Sequence, residues 1–420
     1  MLYERWREVA REHSSEVALR DLSTGESWTF AELARKTEAC AMDGSPVFPR
    51  GISPDFVIAV LQGWRADAVV CPLEEGQARP DLRGLSSDWR HVKVTSGTAS
   101  GGRNVAFSQR QLASDARNIV ETMGLRTDWP NIGVISLAHS YGFSNLILPL
   151  LLHGIPLFLG SSPLPEAMRT ALKDVGPVTL PAVPALWSTW RDANALPANV
   201  KLAISAGAPL PLLLEQATFR LTGLKIHNFY GATECGGIAY DNSAAPRLDP
   251  ACVGRPMQHV TLANGPDGGL EVRGEAVGEN YFPEPEPQLR DGVYRAPDLV
   301  EFRNGLLFLR GRAGDQINVA GRKISPELIE RALAEHPEVR QCLVFGTPSN
   351  DQDRGESVVA CVALKSEAPV EALRQFLLAR LPAWQVPRLW WFVPDIPAND
   401  RGKISRAEWR ERFLKRPRPT

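Results

Sequence analysis

Between about Ile132 and Tyr230, short apolar runs alternate with helix-length amphipathic segments, and this alternation restricts the possible folds more than any other feature of the chain. A short run rich in β-branched residues is typical of a buried strand, and an amphipathic segment is typical of a helix that covers a sheet. The runs occupy residues 132–135, 156–159, 178–180, 200–204 and 224–229. They predict βαβ units and a mainly parallel sheet, with ligands expected at the carboxyl ends of its strands.

After Tyr230 the pattern changes twice. Residues 268–274 and 305–312 form short, glycine-bounded apolar runs, which predict an antiparallel β subdomain. Ser325-Pro326 then provides an N-cap and a first helical turn, predicting a helix to about Ala334. Strands at 343–345 and 358–363 and a helix near 370–380 complete a small α+β unit.

The expected fold class is therefore α/β. A large N-terminal domain, residues 1–312, would consist of mainly parallel βα-layered subdomains and a small β subdomain. A small, mobile α+β C-terminal domain, residues 313–420, would follow.

Composition excludes several classes of protein. A length of 420 residues predicts two to four domains or subdomains, and 47 Lys+Arg against 48 Asp+Glu disfavours a nucleic-acid-binding surface. Residues 1–8 are charged and amphipathic, and no apolar run reaches about 18 residues, so we expect a cytoplasmic protein without a membrane span. Six scattered cysteines without a CxxC pair disfavour zinc and disulfide frameworks.

A loop rich in hydroxyl groups and glycine begins at Thr95 and ends at Arg103. Backbone N–H groups, hydroxyls and a guanidinium suit phosphate oxygens, although a flexible surface loop would look similar. The triplet Gly-Lys-Ser/Thr of a Walker loop is absent, which excludes a P-loop kinase or NTPase.

Two further segments carry candidate chemistry. Residues 230–234, Tyr-Gly-Ala-Thr-Glu, follow a predicted strand and offer a ring for stacking, a hydroxyl for phosphate and a carboxylate for magnesium. The alternative is a tight turn with an incidental acid. Lys403 lies in a glycine turn and is one of nine lysines, and its alternative is an ordinary solvated lysine.

Taken in order, these segments resemble the adenylate-forming superfamily of acyl-CoA and aryl-CoA synthetases, nonribosomal peptide adenylation domains and firefly luciferase. Residues 28–34 and 61–73 resemble its early structural motifs, 95–103 its phosphate loop, and 139–142 its aromatic/His substrate motif. Residues 230–234 resemble the adenine and magnesium motif, 311–324 the hinge and the loop beyond it, and 402–403 the catalytic-lysine loop. The resemblance runs from about residue 28 to 406, in a compact form with a shortened N-terminal region.

The resemblance implies a set of site residues. Catalytic roles fall to Lys403, Glu234 and Thr233, with Glu234 holding magnesium. ATP or AMP would be bound by Thr95, Ser96, Gly97, Thr98, Arg103, Gly207, Ala208, Asn228, Tyr230, Gly231, Asp298 and Arg312. The substrate pocket would be lined by His139, Phe143, Ala206 and Gly236. The hinge and the thiol loop would use Gly314, Gly321 and Lys323.

The chain also departs from the family pattern. In the phosphate loop, Ala99, Ser100, Gly102 and Arg103 stand where Thr, Gly, Pro and Lys are usual. Residues Ala296-Pro297 replace the usual Thr-Gly before Asp298, and glycine occupies the hinge position 314. An altered rate or altered closure of the phosphate loop would follow.

The implied reaction has two steps. ATP activates a carboxylic acid as an acyl-adenylate with release of pyrophosphate, and a thiol of CoA or of a carrier-protein phosphopantetheine then displaces AMP. Rotation about Gly314 would exchange Lys403 for the 319–323 loop between the steps. Residues 138–142 contain no Asp for an α-amino group, which favours a fatty or aromatic acid. The alternatives are a luciferase-type oxidoreductase and a catalytically degenerate nucleotide-binding homologue.

Overall fold

The computed structural model describes residues 1–39, 43–95, 103–160, 162–265, 268–349, 355–397 and 404–416. Its internal contacts divide the chain into two compact units. The first unit contains Met1–Ala263, Glu271–Ala296 and Phe302–Leu307. The second contains Asn264–Leu270, Pro297–Glu301 and Phe308–Thr420. The boundary expected from the sequence at residues 312 and 313 stays a prediction.

Helices and strands alternate along residues 1–256. The helices are α1 (Leu2–Glu12), α2 (Phe30–Glu38), α3 (Pro54–Arg65), α4 (Gln109–Met123), α5 (Ser140–Gly142), α6 (Leu148–His153), α7 (Pro165–Leu172), α8 (Pro184–Asp192) and α9 (Leu212–Thr222). The strands are β1 (Val17–Asp21), β2 (Ser27–Thr29), β3 (Trp89–Val94), β4 (Asn104–Ser108), β5 (Asn131–Gly133), β6 (Leu157–Leu159), β7 (Val178–Ala182), β8 (Val200–Ser205), β9 (Ile226–Ala232), β10 (Gly236–Tyr240) and β11 (Cys252–Pro256). A π-helical turn, Phe143–Ile147, joins α5 to α6.

The segment from 261 to 312 is rich in strands, as its glycine-bounded pattern predicts. The strands are β12 (Thr261–Asn264), β13 (Gly269–Arg273), β14 (Asn280–Phe282), β15 (Leu289–Arg290), β16 (Val293–Arg303) and β17 (Leu306–Arg312). Strand β15 pairs antiparallel with β16.

The large sheet of the first unit has the strand order β11-β10-β9-β8-β7-β5-β6-β1-β2. Its central strands, from β9 to β1, pair in parallel, whereas the outer pairs β9–β10 and β1–β2 are antiparallel. The mainly parallel α/β architecture expected from the sequence is thus confirmed. A separate sheet, β14-β4-β3, lies in the same unit.

Helices cover this sheet with apolar side chains. Trp187 and Trp190 on α8 are fully buried, and they pack with Leu180 of β7 and Ala203 of β8. Fully burying one such side chain stabilises a fold by about 1.5–3 kcal/mol. This packing holds the strands whose carboxyl ends carry the expected site.

The second unit is built around a three-stranded sheet. Its helices are α10 (Pro326–Ala334), α11 (Val370–Leu378) and α12 (Arg406–Leu414), and its strands are β18 (Ile317–Val319), β19 (Arg322–Ile324), β20 (Val339–Pro348), β21 (Glu356–Leu364) and β22 (Leu389–Phe392). Strand β21 lies between an antiparallel β20 and a parallel β22. Val358 and Ala360 belong to one apolar core and Val359 and Cys361 to another, because successive side chains of a strand point to opposite faces. This is the α+β unit that the sequence predicts.

Candidate functional site

The carboxyl ends of the parallel strands bring several expected adenine contacts to one edge. Ser205 at the end of β8 is level with Asn228 of β9. Gly207 follows with a φ of +84°, a left-handed conformation that favours glycine, and Gly207 and Ala208 are both exposed. Asn228 is instead buried, and its amide donates to the carbonyl of Cys252 at 3.4 Å.

Tyr230 and Gly231 lie within β9, which extends to Ala232, and not after the strand as the sequence had suggested. The antiparallel β10 explains this extension, because Tyr230 pairs with Ala239 and Gly231 with Gly237. Thr233 and Glu234 occupy the turn that joins the two strands.

The ends of the phosphate loop are joined by two hydrogen bonds. The N–H of Thr95 donates to the carbonyl of Arg103 at 2.7 Å, and the N–H of Arg103 donates to Thr95 Oγ1 at 2.9 Å. Ser96, Gly97 and Thr98 lie outside the described residues. The antiparallel strands β3 and β4 thus present the two ends of the loop side by side.

A chain of contacts leads from this loop to the magnesium motif. The Arg103 guanidinium lies 2.6 Å from Glu286 and 4.8 Å from the centre of the Tyr281 ring. The Tyr281 hydroxyl donates to Glu234 Oε1 at 2.9 Å. Burial and the negative charge of Glu234 raise the pKa of Tyr281, so this hydroxyl stays protonated and remains a donor.

Tyr281 and Glu286 are residues that sequence reasoning missed. Tyr281 lies on β14, which pairs with β4, and this pairing brings residue 281 close to a loop almost two hundred positions earlier in the chain. The glycine-bounded strand pattern was present, but no local signal connected it with the site.

Two glycines of the site are required by close packing. A Cβ atom at Gly231 would lie 2.6 Å from the carbonyl oxygen of Gly236. At Gly236, where φ is +69°, it would lie 2.1 Å from Asp115 Oδ1. The structure therefore explains Gly236 by its contact with a buried carboxylate, rather than by room left for a substrate.

The aromatic/His segment is held by hydrogen bonds around α5. His139 Nδ1 accepts from the N–H of Tyr141 at 3.3 Å, and the Tyr141 hydroxyl donates to the carbonyl of Ile204 at 3.3 Å. Phe143 is buried, with its ring centre 4.4 Å from that of His91. Ala206, another expected pocket residue, is also buried. His139 is half-buried.

The remaining expected residues lie in the second unit. Arg312 Nε and Asp298 Oδ1 are 3.0 Å apart. Gly314 lies in an exposed 3-10 turn, Ala313–Asp315, and Gly321 has a φ of +78° in the tight turn between β18 and β19. Lys323 on β19 is exposed, and Lys403 lies outside the described residues.

Within the described residues, His, Cys, Asp and Glu side chains do not gather in groups of three or more that could hold a metal ion. Among the helices there, none is both long and apolar enough to cross a membrane.

Comparison with known proteins gives two family matches. Residues 86–285 match the family described as AMP-binding enzyme, and residues 328–403 match the family described as AMP-binding enzyme C-terminal domain. The anthranilate–CoA ligase of Pseudomonas aeruginosa is 28% identical, over 96% of this chain and 81% of the ligase. The 4-coumarate–CoA ligase-like 9 of Oryza sativa is 27% identical, over 89% of this chain and 70% of its own length.

Solved structures show the same fold. The ATP-bound crystal structure of MatB from Rhodopseudomonas palustris superposes with a TM-score of 0.86 at 19% identity, over 99% of both chains. The two family matches together cover well over half of the sequence. They include the segments 95–103, 139–142, 230–234 and 402–403, whereas 28–34, 61–73 and 311–324 lie outside both matches. The chain thus belongs to the adenylate-forming superfamily of AMP-binding enzymes.

Proposed function

We propose that this protein converts an aromatic or fatty carboxylic acid into its CoA thioester through an acyl-adenylate formed at the Glu234 turn. The observation that carries the proposal is the contact series Arg103–Tyr281–Glu234, because it links the end of the phosphate loop, at Arg103, to the magnesium motif. CoA ligases among the relatives support the overall reaction.

In the first step a carboxylate oxygen attacks the α-phosphorus of ATP. A new P–O bond forms, the bond to the bridging oxygen breaks, and pyrophosphate leaves with its electron pair. Both reactants are anions, so positive charge between them lowers the barrier. We assign this charge to Lys403, and we assign the triphosphate contacts to Thr95, Ser96, Gly97, Thr98, Arg103 and Thr233.

The donor chemistry at Glu234 fits magnesium. Mg²⁺ is usually held by one or two carboxylates together with substrate phosphates. Glu234 offers one carboxylate, and one of its oxygens, Oε1, accepts the hydrogen bond of the Tyr281 hydroxyl. Bound there, magnesium would supply positive charge to the triphosphate.

The nucleoside contacts follow from the strand ends. We assign the adenine platform to Tyr230 and Gly231, with Gly207, Ala208 and Asn228 beside it. The ribose hydroxyls are assigned to Asp298, whose carboxylate is held by Arg312 at 3.0 Å. A carboxylate accepts from two neighbouring hydroxyls, which suits a ribose.

In the second step the CoA sulfur attacks the acyl carbon, the bond to the AMP oxygen breaks, and AMP leaves. We propose that the second unit turns about Gly314 between the steps and that the loop with Gly321 and Lys323 then serves the thiol. Gly314 is exposed, and a Cβ atom there would have no described atom within 4 Å beyond its chain neighbours. Freedom from packing suits a hinge.

The acid is expected near His139, Phe143, Ala206 and Gly236. Residues 138–142 offer no carboxylate for an amino group, so amino acids are disfavoured. The anthranilate–CoA ligase named above acts, by its name, on an aromatic acid, and aromatic acids therefore come first in the test. CoA is the proposed acceptor, and a carrier-protein phosphopantetheine presents the same thiol.

The test is pyrophosphate release with magnesium-ATP across matched panels of aromatic, fatty and amino acids. Each panel is run with CoA, with a phosphopantetheinylated carrier protein and with neither acceptor. We expect release that depends on an aromatic or fatty acid, and acyl-CoA as the product. Release with amino acids alone would contradict the substrate class, and oxygen uptake without acyl-CoA would favour the luciferase-type alternative.

A further inference from the structure

A buried ionic cluster lies beneath the site in the first unit. The cluster consists of Lys93, Asp115 and Ser144, whose residues are 4%, 2% and 3% exposed. Lys93 Nζ lies 3.4 Å from Asp115 Oδ2 and 3.0 Å from Ser144 Oγ, and the Ser144 hydroxyl donates to the same Oδ2 at 2.6 Å. The three groups therefore contact one another in a triangle, through Asp115 Oδ2. We call them the Lys93 cluster.

Each member belongs to a different segment. Lys93 is on β3, two residues before Thr95, where the phosphate loop begins. Asp115 lies in the middle of α4. Ser144 belongs to the π-helical turn and directly follows Phe143, an expected pocket residue. A π-helical turn in a helix often marks a functional site, because it shifts one side chain out of its regular position.

The second oxygen of Asp115 reaches a fourth segment. Within the described residues Asp115 Oδ1 has no hydrogen-bond partner, and it lies against the backbone of Gly236. Gly236 is two residues after Glu234.

A buried ion pair is a weak source of stability. Removing two charges from water costs several kcal/mol per ion, and apolar residues of similar volume are often as stable or more so. Removing one partner instead costs about 3–5 kcal/mol, because the other charge is left unpaired. What the cluster provides beyond net stability is a directional link between segments.

We propose that the Lys93 cluster is a positioning network for adenylation, which fixes the start of the phosphate loop, the Phe143 turn and the Glu234 turn relative to one another. This inference rests on the proposed function. None of the three side chains is assigned a contact with ATP or the acid, so they act through the segments that carry Thr95, Phe143 and Glu234.

The competing explanation is a purely structural role, and paired substitutions distinguish the two. Lys93→Met leaves the Asp115 carboxylate without its cation, and Asp115→Asn leaves the Lys93 ammonium without its anion. The double variant removes both charges with little change in shape. Ser144→Ala removes one hydroxyl without leaving an unpaired charge, so it tests the network even where a single charge variant does not fold.

The chain offers a matched control in another buried network of the same unit. Lys225 Nζ is 2.6 Å from Asp241 Oδ2 and also bonds Glu215. Lys225→Met should therefore lower thermal stability about as much as Lys93→Met. Its partners lie on α9 and after β10, and neither belongs to the phosphate loop or to the π-helical turn.

Each variant is measured for melting temperature, for single-turnover pyrophosphate release at saturating magnesium-ATP and acid, and for thioester formation from supplied acyl-adenylate. We expect the double variant to regain most of the lost melting temperature and to keep at least a tenfold loss of pyrophosphate release. In Ser144→Ala, the rate of pyrophosphate release should fall three- to tenfold. Thioester formation should fall less than threefold in both, since it does not need the phosphate loop, and Lys225→Met should keep its adenylation rate within threefold.

Two outcomes would overturn the inference while the proposed function stands. One is a double variant that recovers its rate together with its melting temperature, and the other is a rate that follows melting temperature in all variants, Lys225→Met included. A wild-type protein that releases no pyrophosphate with any acid would overturn the proposed function, and this inference with it.

Discussion

The variant Tyr281→Phe removes one oxygen atom and, with it, the hydrogen bond from Tyr281 to Glu234. The ring remains, so its burial and its contact with the Arg103 guanidinium at 4.8 Å are kept. The lost bond is 2.9 Å long and its acceptor is a carboxylate, a kind of hydrogen bond that contributes about 1.5–3 kcal/mol. Glu234 is half-buried, and water can replace part of the loss, so we take about 1.5 kcal/mol.

At about 1.4 kcal/mol for each factor of ten, this predicts roughly a tenfold effect. We expect the magnesium concentration for half-maximal pyrophosphate release to rise by about that factor, because a carboxylate that is no longer oriented holds the ion less well. Equilibrium binding of magnesium-ATP, measured without the acid, should weaken in parallel. The melting temperature should change little.

Tyr240→Phe is the matched control. Tyr240 is also a buried tyrosine of the first unit, and its ring stacks on His227 with the centres 5.6 Å apart. In Tyr240→Phe, the magnesium concentration for half-maximal pyrophosphate release should stay within twofold of the wild-type value. An unchanged magnesium dependence in Tyr281→Phe, or an equal change in Tyr240→Phe, would refute the role given to the Tyr281 hydroxyl.

The other predictions concern the glycines and the loop arginine. Gly236→Ala should lower the free energy of unfolding, measured by urea denaturation, by more than about 3 kcal/mol, because backbone strain and overlap with Asp115 add. Gly223 has a similar φ of +71° and no described atom within 4 Å of an added Cβ, so Gly223→Ala should cost about 1–2 kcal/mol. Equal losses would contradict the explanation of Gly236 by its contact with Asp115. Gly314→Pro should slow thioester formation from supplied acyl-adenylate more than pyrophosphate release, and unchanged overall turnover would refute the hinge. Arg103→Ala should raise the ATP concentration needed for half-maximal rate, whereas a normal ATP dependence would mean that the loop binds phosphate through its backbone alone.

The sequence predicted the parallel sheet because its strands carry a local signal. The runs at 178–180 and 200–204 became β7 and β8, and the helix predicted from Pro326 to about Ala334 has those bounds in α10. The hydrogen bond expected of Ser325 as an N-cap does not form, since its hydroxyl donates to Glu327 and does not cap the helix. Hydrophobic periodicity predicts which face of a helix is buried, but it does not predict the hydrogen-bond partner of a short polar side chain.

The site was predictable only where its parts lie within one motif. Roles for Thr233 and Glu234 could be proposed from five consecutive residues, and these roles stay a prediction. The partner Tyr281 could not, because 47 positions separate it from Glu234 and only the pairing of strands brings them together. Lys93 could not either, since a lysine in an apolar strand gives no sign of the acid on a later helix that will pair with it.

The central claim, activation of a carboxylate through an acyl-adenylate, is tested most directly by following the carboxylate oxygen. The acid found in the panel is prepared with both carboxylate oxygens as ¹⁸O and is turned over with ATP and CoA, and the AMP is analysed by mass spectrometry. Adenylation predicts one ¹⁸O atom in each AMP and none in pyrophosphate. Unlabelled AMP, or ADP with labelled phosphate, would contradict it and would indicate an acyl-phosphate route.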